Sequence, residues 1–407
     1  MRPIWVYVVW LAVLCLGDVQ AQPFNGQVRL QWADSLSHPS GVIAAANNFQ
    51  AGTVAAPVRQ VGLEAELRAR GRGLTSVLTL RQSDTAPHSR AWVNELYASH
   101  DAGAWQLGAG KKFVAWDVGY AFRPNDMVQQ EDRRTLVNST ATGRPLLQAE
   151  YFDTDAAWSM VWVNPTATVD ALGAEEPALV GRMYRRRGAV DWYGFARMGD
   201  HTGLSLGAAV AWVAGDALEL HGSMRRSEQV DRLTTMQNTG DLLTGSPWQA
   251  GTERDVTQWL VGGTWTHSSQ LGLLAELWWD GSALSDAQWD DWSQRNRRLM
   301  ALAGQGAPLA AVAGNLAWQA QALGASANLR RSNVYVRLSW QHEAWQPAVD
   351  VLYTPADQGR VVTGSLTWQG DRVTVQSGVR VFSGPAEAIM AQLPAQRQGF
   401  VALSWAF

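Results

Sequence analysis

Cysteine is almost absent from this chain. Its single cysteine, Cys15, lies in an apolar N-terminal stretch, so no internal disulfide can form and no thiol-ligated metal site is expected. Long hydrophobic runs are also lacking. After the N-terminal stretch no segment reaches the roughly 18 consecutive apolar residues of a membrane-spanning helix, and the sequence therefore predicts no transmembrane helix.

The chain also lacks a strong net charge. It has 33 basic and 36 acidic residues, a formal net charge of -3, and this balance gives no reason to expect a nucleic-acid partner. Zinc-spaced histidine pairs, phosphate loops, calcium loops and Gly-x-Ser-x-Gly elbows are missing. We therefore expect no cofactor, no metal and no enzymatic activity. Tryptophan, by contrast, is abundant, with 22 residues.

The N-terminus has the features of an export signal. Met1 and Arg2 form a short positive region, 4–16 is apolar, and 19–21 is a small-residue cleavage site. This order is typical of a secretory signal peptide. We predict a signal peptide at 1–21 and one mature domain at 22–407.

Strict alternation of apolar and polar residues is the main structural signal. In Gln60–Arg70, Val61, Leu63, Ala65, Leu67 and Ala69 alternate with small or charged residues, and a strand places these two sets on opposite faces. Eighteen segments of this kind follow one another, at 27–33, 60–70, 74–82, 90–99, 104–112, 144–152, 156–163, 178–186, 189–198, 204–213, 217–227, 256–267, 271–280, 333–342, 345–354, 361–369, 372–382 and 397–407.

The connections between these segments alternate between short and long. The longest are 35–59, 113–143, 228–255 and 281–332. Tryptophans lie near the segment ends, as in the two aromatic girdles of a membrane barrel. The sequence therefore predicts an all-β fold, a transmembrane antiparallel barrel of about 18 strands (16–18), with short periplasmic turns and long outer loops.

The last nine residues, Gly399–Phe407, place Val401, Leu403, Trp405 and Phe407 on one face of a strand. This stretch resembles the C-terminal signature of Gram-negative outer-membrane β-barrels, porins among them. The resemblance implies that Phe407 is an assembly signal read by the barrel-assembly machinery. It also implies an outer-membrane location and contact with membrane lipid and lipopolysaccharide.

The inward-facing positions of the predicted strands carry many charges. The basic ones include Arg29, Arg68, Arg70, Arg81, Lys112, Arg197, Arg225, Arg337, Arg372 and Arg380, and the acidic ones include Glu64, Glu66, Glu150, Glu276 and Asp350. Two interpretations are open. The charges pair across strands and stiffen the wall, or they create a transverse field that orients polar or anionic solutes in a pore.

The loop 113–143 interleaves aromatic and charged residues too densely for a solvated loop tip. We predict that it folds into the lumen as a constriction. Its candidate constriction residues are Asp117, Arg123, Asp126, Glu131, Asp132, Arg133 and Arg134. Buried carboxylates need partners, so we expect the acidic residues of the loop to pair with basic residues of the wall.

The run from Gly110-Lys111-Lys112 through Trp116-Asp117 to Arg123-Pro124-Asn125-Asp126 resembles a strand-to-loop motif of the alginate-export-like and related outer-membrane channel families. The similarity covers about 20 residues. It implies an 18-stranded channel for an organic solute or polymer.

Another long connection has the pattern of a helix at 285–303. Ser285 and Gln288 form a capping box, and Gly304 follows as a stop signal. We expect this helix in an outer loop, packed at the barrel mouth or within its own loop.

The sequence thus indicates a channel for diffusion or export of a polar organic solute or polymer of unknown identity. One alternative is a non-conducting scaffold or adhesin. A less favoured one is a barrel hydrolase, which needs an activated histidine. His221, with Glu219 and Ser223 on the same strand face, is the only candidate pointing clearly inward.

Overall fold

The computed structural model describes residues 24–85, 87–129, 137, 140–167, 175–235, 242–243, 245–324 and 326–407. The predicted signal peptide at 1–21 lies outside these residues.

The described residues form one antiparallel sheet of 18 strands, which confirms the predicted fold class. In chain order the strands are β1 (Asn25–Ser37), β2 (Gln60–Gly71), β3 (Leu74–Ser83), β4 (Ser89–Ala102), β5 (Trp105–Lys112), β6 (Arg144–Phe152), β7 (Ala156–Val163), β8 (Ala178–Arg187), β9 (Val190–Gly199), β10 (Gly203–Gly215), β11 (Leu218–Thr235), β12 (Trp248–Thr266), β13 (Leu271–Asp280), β14 (Ser332–Trp340), β15 (Trp345–Thr354), β16 (Gly359–Gln369), β17 (Val373–Ser383) and β18 (Ala395–Ala406).

The sheet closes on itself between its first and last strands. Leu30 of β1 lies opposite Leu63 of β2 on one side and Leu403 of β18 on the other. Beyond the end of β18, Gly26 and Phe407 exchange two backbone hydrogen bonds, of 3.1 and 3.0 Å. Closure leaves no strand edge unpaired, which is the condition for a sheet that lies in lipid.

Side chains alternate between the two faces of the wall as the sequence pattern predicts. On β2, Leu63 and Leu67 are 47% and 40% exposed on the outside, whereas Glu64 and Glu66 are 6% and 2% exposed on the lumen side. A polar inside and an apolar outside are the reverse of a soluble fold and are required of a barrel surrounded by hydrocarbon.

Short and long connections lie at opposite ends of the barrel. We call these the short-turn end and the long-loop end. At the long-loop end β11 and β12 continue as a paired hairpin to Thr235 and Trp248, so the prediction of a loop over the whole of 228–255 is wrong. The ladder passes through an irregularity beside Asp255, which has a left-handed φ of 55°. The register is the same on both sides of this position, with Ser227 opposite Val256 and Gln229 opposite Arg254. The extension was missed because 228–235 lacks the apolar–polar alternation from which strands are recognised.

Helices from several long loops form a cap at the long-loop end. The cap consists of α1 (Val42–Phe49), α2 (Asp286–Gly304), α3 (Leu309–Gln319), a 3-10 helix (Ala320–Gly324) and α4 (Ile389–Gln392). In the described part of the chain, no helix is both long and apolar enough to cross a bilayer.

The cap has its own apolar core. Trp289 and Trp292 of α2 meet edge to face at 5.3 Å, and both are buried. Their indole N–H groups donate to the carbonyls of Leu329 at 2.8 Å and Gln319 at 2.9 Å. The core extends to Leu352, a lumen-side residue of β15. The cap therefore packs on the barrel rim as one unit.

Candidate functional site

The described first part of loop 113–143, residues 113–129, lies inside the barrel. We call this segment the lumen loop. It contacts inward-facing side chains of nine consecutive strands, from Leu146 on β6 to Tyr335 on β14. The described residues of the loop therefore cover about half of the inner wall.

An apolar face attaches the lumen loop to the wall. Val114, Met127 and Val128 are each at most 5% exposed. They pack against buried lumen-side residues of five strands: Leu146, Val161, Val163, Ala178, Val180, Phe195 and Ala209. Burial of this kind stabilises by about 1.5–3 kcal/mol for each large side chain. The segment thus has a driving force to remain inside the barrel.

Asn125 locks the loop onto β10 and β11. Its amide nitrogen donates to the Ser223 hydroxyl at 2.8 Å and to the Ala208 and Met224 carbonyls at 3.2 and 3.1 Å. The side chain sits directly over Gly207, where an added Cβ would lie 1.8 Å from the Asn125 Oδ1 atom. Only glycine at 207 leaves room for this contact.

Glu276 of β13 holds the tip of the loop. Its two carboxylate oxygens accept hydrogen bonds from the backbone N–H groups of Tyr120 at 2.6 Å and Ala121 at 2.7 Å. The His221 Nε2 atom lies 2.9 Å from the same carboxylate. Because Glu276 is 2% exposed, these charge-assisted bonds are shielded from water and strengthened.

Two loop carboxylates shape the turn between Trp116 and Asp126. Asp117 accepts from the Ser223 hydroxyl at 2.7 Å and from the N–H of Asn125 at 2.6 Å. Asp126 accepts from the N–H groups of Trp116 and Asp117 at 2.9 and 3.0 Å. Burial raises the pKa of both carboxyls, that of Asp126 to about 6.

The expected pairing of loop acids with wall arginines is wrong for Asp117 and Asp126. Asp126 pairs with Arg123 of its own loop at 3.8 Å. The wall arginines donate instead to loop carbonyls, Arg197 to Met127 at 3.1 Å and Arg225 to Pro124 at 3.3 Å. The irregular backbone of the loop has carbonyls without helix or sheet partners, and buried ones need donors, so these carbonyls bind the guanidinium groups.

Aromatic contacts complete the docking. Tyr120 stacks on Tyr335 with ring centroids 5.9 Å apart, and Phe122 stacks on Trp278 at 5.8 Å. Tyr120 remains 42% exposed and so faces the narrowed lumen.

Four of the other predicted basic residues lie on the lumen side of β1, β3, β14 and β17. Arg29 lies 3.5 Å from Glu64, Arg337 lies 2.8 Å from Asp350, and Arg380 donates to Thr363 at 3.1 Å. Arg81 lies opposite Glu64 in the β2–β3 ladder. These four arginines occupy the lumen side at mid-wall.

Three further predicted residues lie elsewhere. Arg68 pairs with Glu66, and Arg70 lies opposite Thr75, both towards the short-turn end. Lys112 donates to Gln148 at 2.8 Å where β5 leads into the loop. Glu131, Asp132, Arg133 and Arg134 lie outside the described residues.

The arrangement of His221 does not match a hydrolase. His221 is 7% exposed and faces Glu276, while Ser223 donates to Asp117. Among the described contacts there is no hydrogen bond between His221 and Ser223. The lumen loop covers both residues, so His221 supports the anchor of the loop.

No protein-family model matches the chain, and the search of curated proteins found no match. Solved structures do match. OccK8 (OprE) of Pseudomonas aeruginosa has 10% identity and a TM-score of 0.56, with 94% of this chain and 97% of that chain covered. A triple mutant of the Rhodopseudomonas blastica porin has 12% identity and a TM-score of 0.46, with 95% and 99% covered. The closed 18-stranded wall and the likeness to OccK8 show that this chain has a porin-like β-barrel fold.

Proposed function

We propose that this protein is an outer-membrane channel through which a polar organic solute or polymer passes, and that it is not an enzyme. The observation that carries the proposal is the lumen loop, whose described residues contact the inner face from β6 to β14. Outer-membrane barrels have their short turns in the periplasm and their long loops outside the cell. The proposal therefore places the short-turn end in the periplasm and the cap on the outer side.

The charges around the remaining passage favour polar or anionic solutes. Arg29, Arg81 and Arg380 lie on β1, β3 and β17, away from the lumen loop, and Arg337 lies at the edge of the wall that the loop contacts. The loop contains the buried carboxylates of Asp117 and Asp126. Opposed charge across a narrow, water-filled gap produces a transverse field that orients dipolar solutes. The acidic partners Glu64 and Asp350 moderate this field without removing the excess of arginine.

Planar-bilayer recordings of the purified protein test the proposal. We expect discrete single-channel conductance and a reversal potential that shifts towards cation selectivity in the Arg380→Gln variant. Arg360 of β16 is the matched control. It is exposed and lies opposite Tyr353 on the outer face, so Arg360→Gln should leave the reversal potential unchanged. Folded protein without conductance would contradict the channel.

The cap favours a second candidate, a non-conducting scaffold whose outer surface binds a partner. Its support is the tryptophan-rich core that binds loops from four parts of the chain into one unit. The same recordings separate the two candidates, because a scaffold conducts nothing.

A further inference from the structure

Helices α2 and α3 of the cap form a hairpin. They are joined by four residues, 305–308, and such a short connection makes the two helices antiparallel neighbours. The Trp292 indole N–H donates to the Gln319 carbonyl at 2.9 Å, which sets the register between them. One turn nearer the connection, Asn296 of α2 therefore lies opposite Asn315 of α3.

Three carboxamide side chains are buried along this hairpin. Asn296, Asn315 and Gln319 are 5%, 2% and 1% exposed. Within the described part of the chain, both polar atoms of the Asn296 side chain, the Asn315 Oδ1 atom and the Gln319 Nε2 atom have no hydrogen-bond partner. Such atoms cost free energy while they are buried, and this cost disappears when water reaches them.

Polar contacts join this part of the hairpin to the connection between β11 and β12. The Asn315 amide nitrogen donates to the Leu243 carbonyl at 3.2 Å, and Arg295 donates to the Leu242 carbonyl at 3.3 Å. We call the three buried carboxamides together with these two carbonyls the polar seam. Apolar contacts of the cap core, including the fully buried Leu299, hold the hairpin against the polar seam.

The base of the hairpin is fixed to the rim of the barrel by stronger contacts. The Trp289 indole N–H donates to the Leu329 carbonyl at 2.8 Å. The next residue, Arg330, forms an ion pair with Asp357 of the β15–β16 connection at 3.0 Å, and the two side chains are 9% and 8% exposed. Shielding from water strengthens this pair. The hairpin is therefore held firmly at its base and more weakly along the polar seam.

The cap also reaches the inner face of the barrel. Its apolar core includes Leu352 and Val361, which lie opposite each other on β15 and β16. Leu352 also packs against the cluster that contains Phe122 of the lumen loop. The cap thus meets the lumen loop at Leu352, and a displacement of the cap would change the mouth of the barrel.

We propose that the α2–α3 hairpin is a lid at the long-loop end, which opens along the polar seam and turns about its base at Trp289 and Leu329. Opening hydrates the buried carboxamides, and this offsets part of the apolar contact that is lost. The effect of the lid on current rests on the proposed function, whereas its motion is a property of the cap alone.

Hydrogen-exchange mass spectrometry tests the motion. Asn296→Leu replaces two unpartnered polar atoms by apolar ones of similar volume, and amide exchange in α3 should become roughly 10-fold slower because the closed lid is stabilised. Reading the exchange in α3 excludes any effect of helix propensity at position 296 of α2. Gln294→Leu, at an exposed position of α2, is the matched control and should leave the exchange unchanged. Equal or faster exchange in Asn296→Leu would overturn the lid.

A crosslink tests whether the motion gates the passage. In the Leu243→Cys/Asn315→Cys variant, bismaleimidoethane should join the two sides of the polar seam, and transitions to a larger conductance should disappear. Each single-cysteine variant, treated in the same way, is the control. Unchanged transitions after crosslinking would contradict the gating role. Slower exchange in Asn296→Leu in a protein without conductance would support the moving hairpin and contradict the channel. Unchanged exchange in a conducting protein would contradict the lid alone.

Discussion

Gly207 and Asn125 show how strongly single residues control the seating of the lumen loop. The Asn125 amide occupies the space above Gly207 and bonds to β10 and β11 at once. A side chain at 207 and the seated loop therefore exclude each other. In the proposed channel the loop narrows the lumen, so an added methyl group at position 207 of the wall should alter function.

Gly207→Ala should unseat the lumen loop. Overpacking of this kind costs about 1–3 kcal/mol, so amide exchange in 117–129 should become about 10-fold faster. Gly222→Ala on β11 is the control, because its added Cβ would meet atoms no closer than 3.6 Å. Hydrogen-exchange mass spectrometry compares the two variants. Equal exchange in both would show that Asn125 does not hold the loop.

Asp126 should make the selectivity of the channel depend on pH. Its pKa is raised from 3.8 to about 6 by burial, so the folded protein takes up a proton as the pH falls through 6. A raised folded-state pKa also means that acidification favours the docked loop. Between pH 8 and pH 5 the reversal potential of the wild type should shift further towards anion selectivity, with a midpoint near pH 6.

Asp126→Asn provides the comparison for this titration. The variant cannot ionise at this position, so the part of the reversal-potential shift near pH 6 should disappear. A shift of the same size and midpoint in both proteins would assign the titration to another group.

At single positions, alternation predicted the lumen side of Arg197, Arg225 and Glu276, because a period of two fixes the face. It did not predict their partners. The carbonyls of Pro124 and Met127 reach these side chains only through the path of the loop across the wall, and strand periodicity contains no information about that path.

At the scale of elements, the helix that was predicted from the sequence is the one that begins with a recognisable N-terminal cap. The capping box of Ser285 and Gln288 is present in the structure at the start of α2. By contrast, α1 follows Gly41 and α3 follows Pro308, and neither has a side-chain cap. Both are small-residue, alanine-rich helices stabilised by packing within the cap, and the sequence analysis missed them because they have no local start signal.

Disruption of the pairing between β1 and β18 should prevent assembly of the barrel. Phe407 exchanges two backbone hydrogen bonds with Gly26, and its ring lies over the Gly26 backbone. Deleting Phe407 removes both bonds and the ring contact, so the fraction of folded, heat-modifiable barrel in outer membranes should fall sharply. Phe407→Ala keeps the backbone bonds and isolates the ring. Normal levels of both variants would show that neither contributes to assembly.

At the scale of the whole molecule, the number of strands and the sorting of connections followed from the sequence because a lipid-surrounded barrel repeats one pattern around its circumference. The parts of the molecule that do not repeat were harder to predict from the sequence. The cap and the lumen loop depend on contacts between residues far apart in the chain, such as Tyr120 with Glu276. In the proposed channel, these parts determine what passes through the barrel, and the repeating wall does not.

The most direct test of the account is the single-channel conductance of a variant in which 117–134 is replaced by a short Gly/Ser linker. The loop contributes no strand to the described wall, so the barrel should still fold, as a gel-mobility assay can verify. We predict a larger conductance and weaker solute preference than in the wild type. Unchanged conductance in a correctly folded variant would contradict the constriction and shift the role to the cap or to a non-conducting scaffold.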